Sequence, residues 1–237
     1  MAQPHLSLIQ VNAHYGRAHI LFNVDLAVQR GQVLALLGRN GAGKSTTMKA
    51  IIGMVRASTG TIAFDATRIE REPIYRISRL GLGYVPEERR IFTDLTVLEN
   101  LAVARRPPRP GQTPWTPERL FAIFPNLAAL RHRPGGRMSG GEQQMLAIAR
   151  TLMGNPSLIL LDEPSEGLSP RIVEQLATTI LELKAEGLTL IISEQNMQFA
   201  RDVADRAAII EKGRICFDGT MAGLAANAAV QHEYLSV

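Results

Sequence analysis

Residues 33–45 read Val33-Leu34-Ala35-Leu36-Leu37-Gly38-Arg39-Asn40-Gly41-Ala42-Gly43-Lys44-Ser45. The unbroken apolar run at the start is the pattern of a strand buried on both faces, because a strand with one wet face alternates. From Gly38 the chain fits the P-loop pattern G-x-x-x-x-G-K-S, directly after a buried strand and opening a helix at about Lys44, where the mechanism requires it. The glycines let successive backbone N–H groups turn inward on a phosphate chain, and the helix N-terminus adds partial positive charge. Lys44 is then placed for the β and γ phosphates, and the Ser45 hydroxyl for Mg2+. A chance glycine-rich turn is the competing reading; the strand before it and the helix after it argue against that. Gly38, Arg39, Asn40, Gly41, Ala42, Gly43, Lys44, Ser45 and Thr46 are the candidate nucleotide-binding residues. Kinases, GTPases, motors and transport ATPases share this loop, so the use of the nucleotide is left open.

Working outward, alternating apolar positions predict strands over 6–11 and 24–28, with Gly31 turning the chain into the buried strand. Past the middle of the chain, a helix is predicted over 140–153, a strand over 158–162, and a helix from Pro170, capped by Ser169, to Glu186. Gly187 ends that helix and Leu188 to Ser193 is a second apolar strand. Residues 206–217 suggest a pair of short strands around Lys212-Gly213, with helices after Thr220. Strands alternating with helices imply an α/β fold with a mostly parallel sheet covered on both sides. Residues 105–117 hold five prolines and read as an exposed linker. Thr116 and Pro117 then look like the cap and first residue of a short helix towards Phe124.

In 237 residues, 46% are apolar and 20% charged, which excludes a disordered tail or a fibre. No apolar run approaches the roughly 20 residues of a spanning helix. The start, Met-Ala-Gln-Pro-His, lacks the charged and apolar stretches of a signal peptide. The expectation is a chain that neither crosses a membrane nor leaves the cytoplasm by itself. The single cysteine, Cys216, excludes internal disulfides and multi-cysteine metal sites, and its setting reads as strand packing rather than a reactive thiol. The net charge of +4 is modest, but residues 101–137 carry seven arginines (105, 106, 109, 119, 131, 133 and 137) against Glu118 alone, a local net of +6. That piece is either a docking surface or a solvated face.

Two further stretches carry chemistry. Leu158-Ile-Leu-Leu-Asp162-Glu163 is an apolar strand ending in two acids, and dehydrating carboxylates costs several kcal/mol. Mg2+ compensates Asp162, through a water ligand, while Glu163 points elsewhere and can polarise the water that attacks a γ-phosphate. The plain alternative is a strand that simply reaches solvent. Met138-Ser139-Gly140-Gly141-Glu142 precedes an apolar-periodic helix. Ser139 with Glu142 is a capping box, common at ordinary helix starts. Two glycines in the first turn cost about 1 kcal/mol each against alanine and bare N–H groups to an anion. One P-loop needs one phosphate chain, so this second anion site points to the nucleotide of another subunit.

The ordered set of P-loop, Ser139-Gly-Gly-Glu-Gln143 and Leu160-Leu-Asp-Glu-Pro164 resembles the nucleotide-binding subunits of ATP-binding cassette (ABC) transporters, over essentially the whole chain. The resemblance implies a P-loop NTPase with a RecA-like, mostly parallel core sheet, an antiparallel β subdomain and an inserted helical subdomain. It implies a single domain over 6–237, in which 1–87 and 138–237 form the nucleotide-binding core and 88–137 the helical signature subdomain. It also implies ATP and Mg2+, and a head-to-tail dimer in which Ser139, Gly140, Gly141 and Glu142 act on the partner's ATP. Tyr15 matches the residue that stacks on adenine, and residues 165–168 match the segment that crosses the dimer interface. Two positions depart from the family. Glu87 stands where most members carry glutamine, an equally hard oxygen ligand for Mg2+ but a charged one. Gln195 stands where most carry a switch histidine; it can hydrogen-bond a γ-phosphate but takes no proton. Glu163 is therefore expected to serve the water and Gln195 to position it.

Val85-Pro-Glu87 with Arg89-Arg-Ile-Phe92, Glu166-Gly-Leu-Ser-Pro170 and Glu194-Gln-Asn196 look like the second ATPase (LivF type) of branched-chain amino acid importers. Urea importers have a similar subunit, usually with glutamine where Glu87 stands. The implied partners are a second ABC ATPase subunit, membrane permeases and, indirectly, a periplasmic solute-binding protein, with no nucleic acid; the implied place is the cytoplasmic face of the inner membrane. A non-transport ABC ATPase would be expected to carry coiled-coil or zinc-bearing insertions or fused cassettes, and a P-loop kinase leaves Ser139 to Glu142 unexplained.

Overall fold

β3 (Val33–Leu37) lies inside a six-stranded sheet of order β10-β9-β3-β8-β7-β6, in a computed structural model that describes residues 3–235. Met1 and Ala2 of the leader reading, and the last two residues of the expected domain, lie outside the described residues. The sheet's other strands are β6 (Leu82–Val85), β7 (Leu158–Asp162), β8 (Thr189–Glu194), β9 (Arg206–Glu211) and β10 (Arg214–Thr220). Every neighbouring pair is parallel except the β9–β10 hairpin. A second, antiparallel sheet runs β2-β1-β4-β5, from β1 (Leu6–Tyr15), β2 (Ala18–Val28), β4 (Ala57–Phe64) and β5 (Thr67–Arg68).

The continuous apolar runs are explained by apolar clusters on both faces, with Ala35 and Leu37 of β3 in a third one beside Ala207 and Ile209. Leu158 and Leu160 of β7 join Leu34 and Leu36 in a cluster with the antiparallel sheet and α1 (Lys44–Ile51). Ile159 and Leu161 turn to the opposite cluster, with Val33, Leu190 and Ile192. Successive strand side chains point to opposite faces, so a strand covered twice is apolar at every position. The second core holds α6 (Gly140–Leu152), α7 (Pro170–Ala185) and the helices α3 (Val97–Ala104), α4 (Pro117–Ile123) and α5 (Pro125–Ala129), through Leu101, Leu120, Phe124 and Leu127. The fold class read from the sequence is thus the one observed. The chain is completed by α2 (Ile74–Leu80), α8 (Met197–Val203), α9 (Met221–Ala225) and α10 (Ala228–Leu235). Among the described residues no helix is long and apolar enough to cross a membrane.

Several expectations need correction. Ser169 precedes α7 but makes no side-chain capping bond; Pro170 at the first position starts that helix. The proline-rich linker is a strap rather than a free tether. Trp115 within it is buried at 5% exposure, and Asn155 receives the Trp115 N–H at 2.7 Å while donating to the Arg106 carbonyl at 2.7 Å. Arg109 donates to the carbonyls of Leu80 and Asn155, and Arg119 pairs with Glu186, so these two arginines serve the fold while the other five of the group are exposed. Cys216 lies on β10 as expected but on its exposed side, so it does not pack in a core.

His5 is 1% exposed at the entry to β1. Its Nδ1 lies 2.7 Å from the Thr189 hydroxyl, which also accepts the Gly31 N–H, and its Nε2 faces the Ser157 hydroxyl and the Arg30 guanidinium. A guanidinium only donates, so Nε2 is the acceptor and the proton sits on Nδ1. Burial, then the charge of Arg30, pushes the imidazole pKa down to about 4.

Candidate nucleotide-hydrolysing site

The site forms at the carboxyl ends of β3, β7 and β8. A Cβ on Gly38 would stand 2.3 Å from the Ile210 carbonyl oxygen, so only glycine lets the loop leave β3 against β9. Gly41 has φ of 78°, a left-handed turn that costs other residues roughly 1–2 kcal/mol. α1 opens without a side-chain cap and without an acid in its own first turn, so neither offsets the positive end of the helix. Lys44 is 4% exposed, and its ammonium donates to the carbonyls of Gly38 (2.7 Å) and Arg39 (3.2 Å) and pairs with Glu163 at 3.1 Å. All three ammonium hydrogens therefore have partners.

Asp162 ends β7 at 2% exposure. Its Oδ1 accepts the hydroxyls of Ser45 (3.0 Å) and Ser193 (2.6 Å), and its Oδ2 that of Tyr84 (3.0 Å). Burial, then the Asp162 charge, drives the Tyr84 phenol well above its ordinary pKa, which keeps it a donor. Glu163 follows in the left-handed region at φ of 46°, held by its N–H to the Ser193 carbonyl (3.1 Å) and hydroxyl (3.0 Å). That twist turns consecutive carboxylates to different partners. The Glu163 carboxylate takes Lys44 on one oxygen and the Gln195 amide on the other, at 2.7 Å. Burial raises its pKa, but hydrogen bonds from Gln195, Glu166 and Lys44 and the Lys44 charge outweigh this and hold it below the usual carboxylate range. Glu166 moves the opposite way, raised first by its hydrogen bond to Glu163. Gln195 also donates to the Asn40 side chain at 2.7 Å, tying the loop after β8 to the P-loop.

Of these groups Asn40, Lys44, Ser45, Glu163 and Glu166, together with Thr46 and Glu87, line a cavity of about 340 Å³. Among the described residues, no three His, Cys, Asp or Glu side chains converge as a metal cage. Mg2+ is commonly held by one or two carboxylates plus substrate phosphates rather than by a full protein cage. Ser45 and Asp162 offer hard oxygens side by side, and an ionised carboxylate with about four lone-pair positions has one left after three bonds. Arg39 and Ala42 shape the loop through their backbones: the Arg39 carbonyl accepts the Ala42 N–H, and the Ala42 carbonyl accepts that of Gly213.

The remaining predicted residues lie elsewhere. Tyr15 stands half-exposed, at 48%, at the end of β1. Ser139 and Glu142 form both halves of the capping box at α6 (2.7 and 3.4 Å). The Ser139 oxygen accepts there, which leaves its O–H to donate outward. Gly141 has a packing role the sequence did not reveal: its Cβ would meet Ile172 of α7 at 2.8 Å. Gly140 lies under Arg89, whose guanidinium also reaches the Glu166 carbonyl. Sequence reasoning missed Tyr84 and Ser193 as supports of the two acids, and Glu194 as the acceptor for the Ser165, Gln195 and Asn196 N–H groups. Their signal is strand register, since Asp162 pairs with Ser193 across β7 and β8. Glu194 is 2% exposed, and burial raises its pKa above the usual carboxylate range despite hydrogen bonds from the Ser165 side chain and the Ser165, Gln195 and Asn196 backbone.

A glycine loop after a buried strand, a lysine and serine opening its helix, and carboxylates at the end of a parallel neighbour define a P-loop nucleoside triphosphatase. The sequence pattern of the family described as ABC transporter matches residues 21–166, and the chain belongs to that family as an ATPase subunit. It is 40% identical to the high-affinity branched-chain amino acid transport ATP-binding protein BraG of Pseudomonas aeruginosa, over 97% of this chain and 99% of that one. It is 35% identical to a probable branched-chain amino acid transport ATP-binding protein, LivF, of Archaeoglobus fulgidus (96% and 95% covered), and 36% to the lipopolysaccharide export ATP-binding protein LptB of Haemophilus influenzae (93% and 92%). Among solved structures it superposes on a nucleotide-free ATP-binding cassette of an ABC transporter with TM-score 0.82, 28% identity and 96% of both chains. An ADP-bound cassette gives TM-score 0.83 at 27% identity, over 99% of this chain and 98% of that one.

Proposed function

We propose that this chain hydrolyses Mg2+-ATP to drive uptake of branched-chain amino acids or similar small polar solutes. It would do so as a dimer with itself or a second ABC ATPase, docked on permeases at the cytoplasmic face of the inner membrane and served by a periplasmic solute-binding protein. The observation that carries the chemistry is the Lys44–Glu163–Gln195 chain of contacts in the P-loop cavity. A γ-phosphate competes for the Lys44 ammonium, and in accepting it Lys44 releases Glu163 from its ion pair. Glu163 then accepts the proton of the attacking water as the β–γ P–O bond breaks, and Gln195 holds that water in line. Ser45, Asp162 and Glu87 are the residues to hold Mg2+, which would supply neutralising charge on the phosphates. Ser139 and the N–H groups of Gly140 and Gly141 would reach the partner's phosphates, with Glu142 holding Ser139 through the capping box and Tyr15 under the adenine. The domain division, with residues 88–137 as an inserted helical piece, belongs to the same proposal.

The solute class is supported by the 40% identity along nearly the whole of BraG. A second reading, lipopolysaccharide export, is supported by the 36% identity to LptB. Proteoliposomes carrying the chain with its membrane subunits and solute-binding protein should take up leucine in an ATP-dependent manner. Extraction of lipopolysaccharide without leucine uptake would overturn the import reading in favour of the export one.

A further inference from the structure

Glu194 is a buried carboxylate with no cation against it among the described residues. Its donors are all local to two loops. Oε1 accepts the Ser165 N–H at 3.1 Å, while Oε2 accepts the N–H groups of Gln195 and Asn196, each at 3.2 Å. One oxygen therefore holds the loop after β7, and the other holds the loop after β8 that carries Gln195. Burying a charge this deeply is costly unless fixed donors meet it. A side chain of this kind is retained where it orders something.

We propose that Glu194 is a positioning residue that clamps the segment beginning at Ser165 to the backbone of Gln195, so that pressure on that segment is passed to the Gln195 amide, which already lies 2.7 Å from Glu163, and shifts it into line with the water. The proposal rests on the functional reading above, in which residues 165–168 lie at the dimer interface and Gln195 positions the water. It assigns to this chain a link within one subunit between closure of the dimer and alignment of the water. The two-oxygen geometry makes the link specific to a carboxylate. Glutamine has the same shape, but only one of its two ends accepts, so one loop must face an N–H to an N–H.

The test is a double-mutant cycle on the full chain, reading steady-state ATP turnover. Glu194→Gln should lower kcat about tenfold, the worth of one charge-assisted hydrogen bond, with KM for ATP changed less than about twofold. Gln195→Ala should lower kcat by itself, and adding Glu194→Gln to it should cause less than about a twofold further fall, because the clamp then has nothing to position. Glu194→Asp, with two equal oxygens on a shorter stem, runs the same cycle if the glutamine variant does not fold, with a milder fall of about threefold. Equal falls in both backgrounds, or KM rising in step with the loss of kcat, would overturn the clamp and leave Glu163 and Gln195 in their roles. Full turnover by Gln195→Ala would overturn both readings.

Discussion

Ser193→Ala removes one oxygen that serves both acids of the site. That hydroxyl is fully buried, donates to Asp162 at 2.6 Å and accepts the Glu163 N–H at 3.0 Å. A hydrogen bond to a charged group contributes about 1.5–3 kcal/mol. The Glu163 N–H keeps the Ser193 carbonyl at 3.1 Å, so its share of the loss is smaller. The expected destabilisation is thus about 2–3 kcal/mol, or a melting temperature lower by about 5–10 °C in a chain of this size. Tyr84→Phe removes one bond to the same carboxylate and should cost about 1.5 kcal/mol. Combined, the two should cost more than their sum, because Asp162 is left with Ser45 alone among these donors. Urea and thermal unfolding of the three variants measure this. A Ser193→Ala protein within about 0.5 kcal/mol of the parent would refute the claim that Asp162 is held by its neighbouring strand.

Two other outcomes follow from buried contacts. His5 stays neutral in the folded chain down to about pH 4, whereas the unfolded imidazole protonates near 6.5. The unfolded state therefore binds more protons between these values, and stability present above pH 6.5 is lost as the pH falls towards 4. Between pH 7.5 and 5 this amounts to about 2 kcal/mol, which His5→Gln should remove from the urea-unfolding difference; an unchanged difference would contradict the assignment. Gly38→Ala drives a Cβ into the Ile210 carbonyl, so the loop must move. ATP affinity should fall by at least about tenfold in equilibrium binding, and wild-type affinity would show that the loop tolerates the shift.

The parts legible in the sequence were those whose local pattern has one physical solution. The apolar runs of β3 and β7, short and closely followed by Gly38 or by acids, fit doubly covered strands, and glycine-rich spacing before Lys44 fits a phosphate loop. β1 and β2 run longer than their alternation shows, because Gln10 and Asn23 take positive φ where the register of the pair shifts, which breaks the period of two. β4 was missed since Ser58, Thr59 and Gly60 carry no apolar face. α3 did have a signal, Thr96 with Glu99, and the structure shows both halves of that capping box. Lys44, Ser45, Asp162 and Glu163 were legible as a set; Tyr84, Ser193 and Glu194 were not, because their work depends on which strands lie side by side. Glu163's contact with Lys44 also depends on a positive φ that no propensity for glutamate would suggest.

The central claim is that the Glu163 carboxylate takes the proton of the attacking water. It is tested most directly by measuring ATP binding and ATP turnover side by side in Glu163→Gln, which keeps the side chain's size. Nucleotide affinity should stay within a few-fold of the parent, while turnover falls at least about a hundredfold and an ATP-bound dimer accumulates. Hydrolysis at the parental rate in that variant would contradict the account.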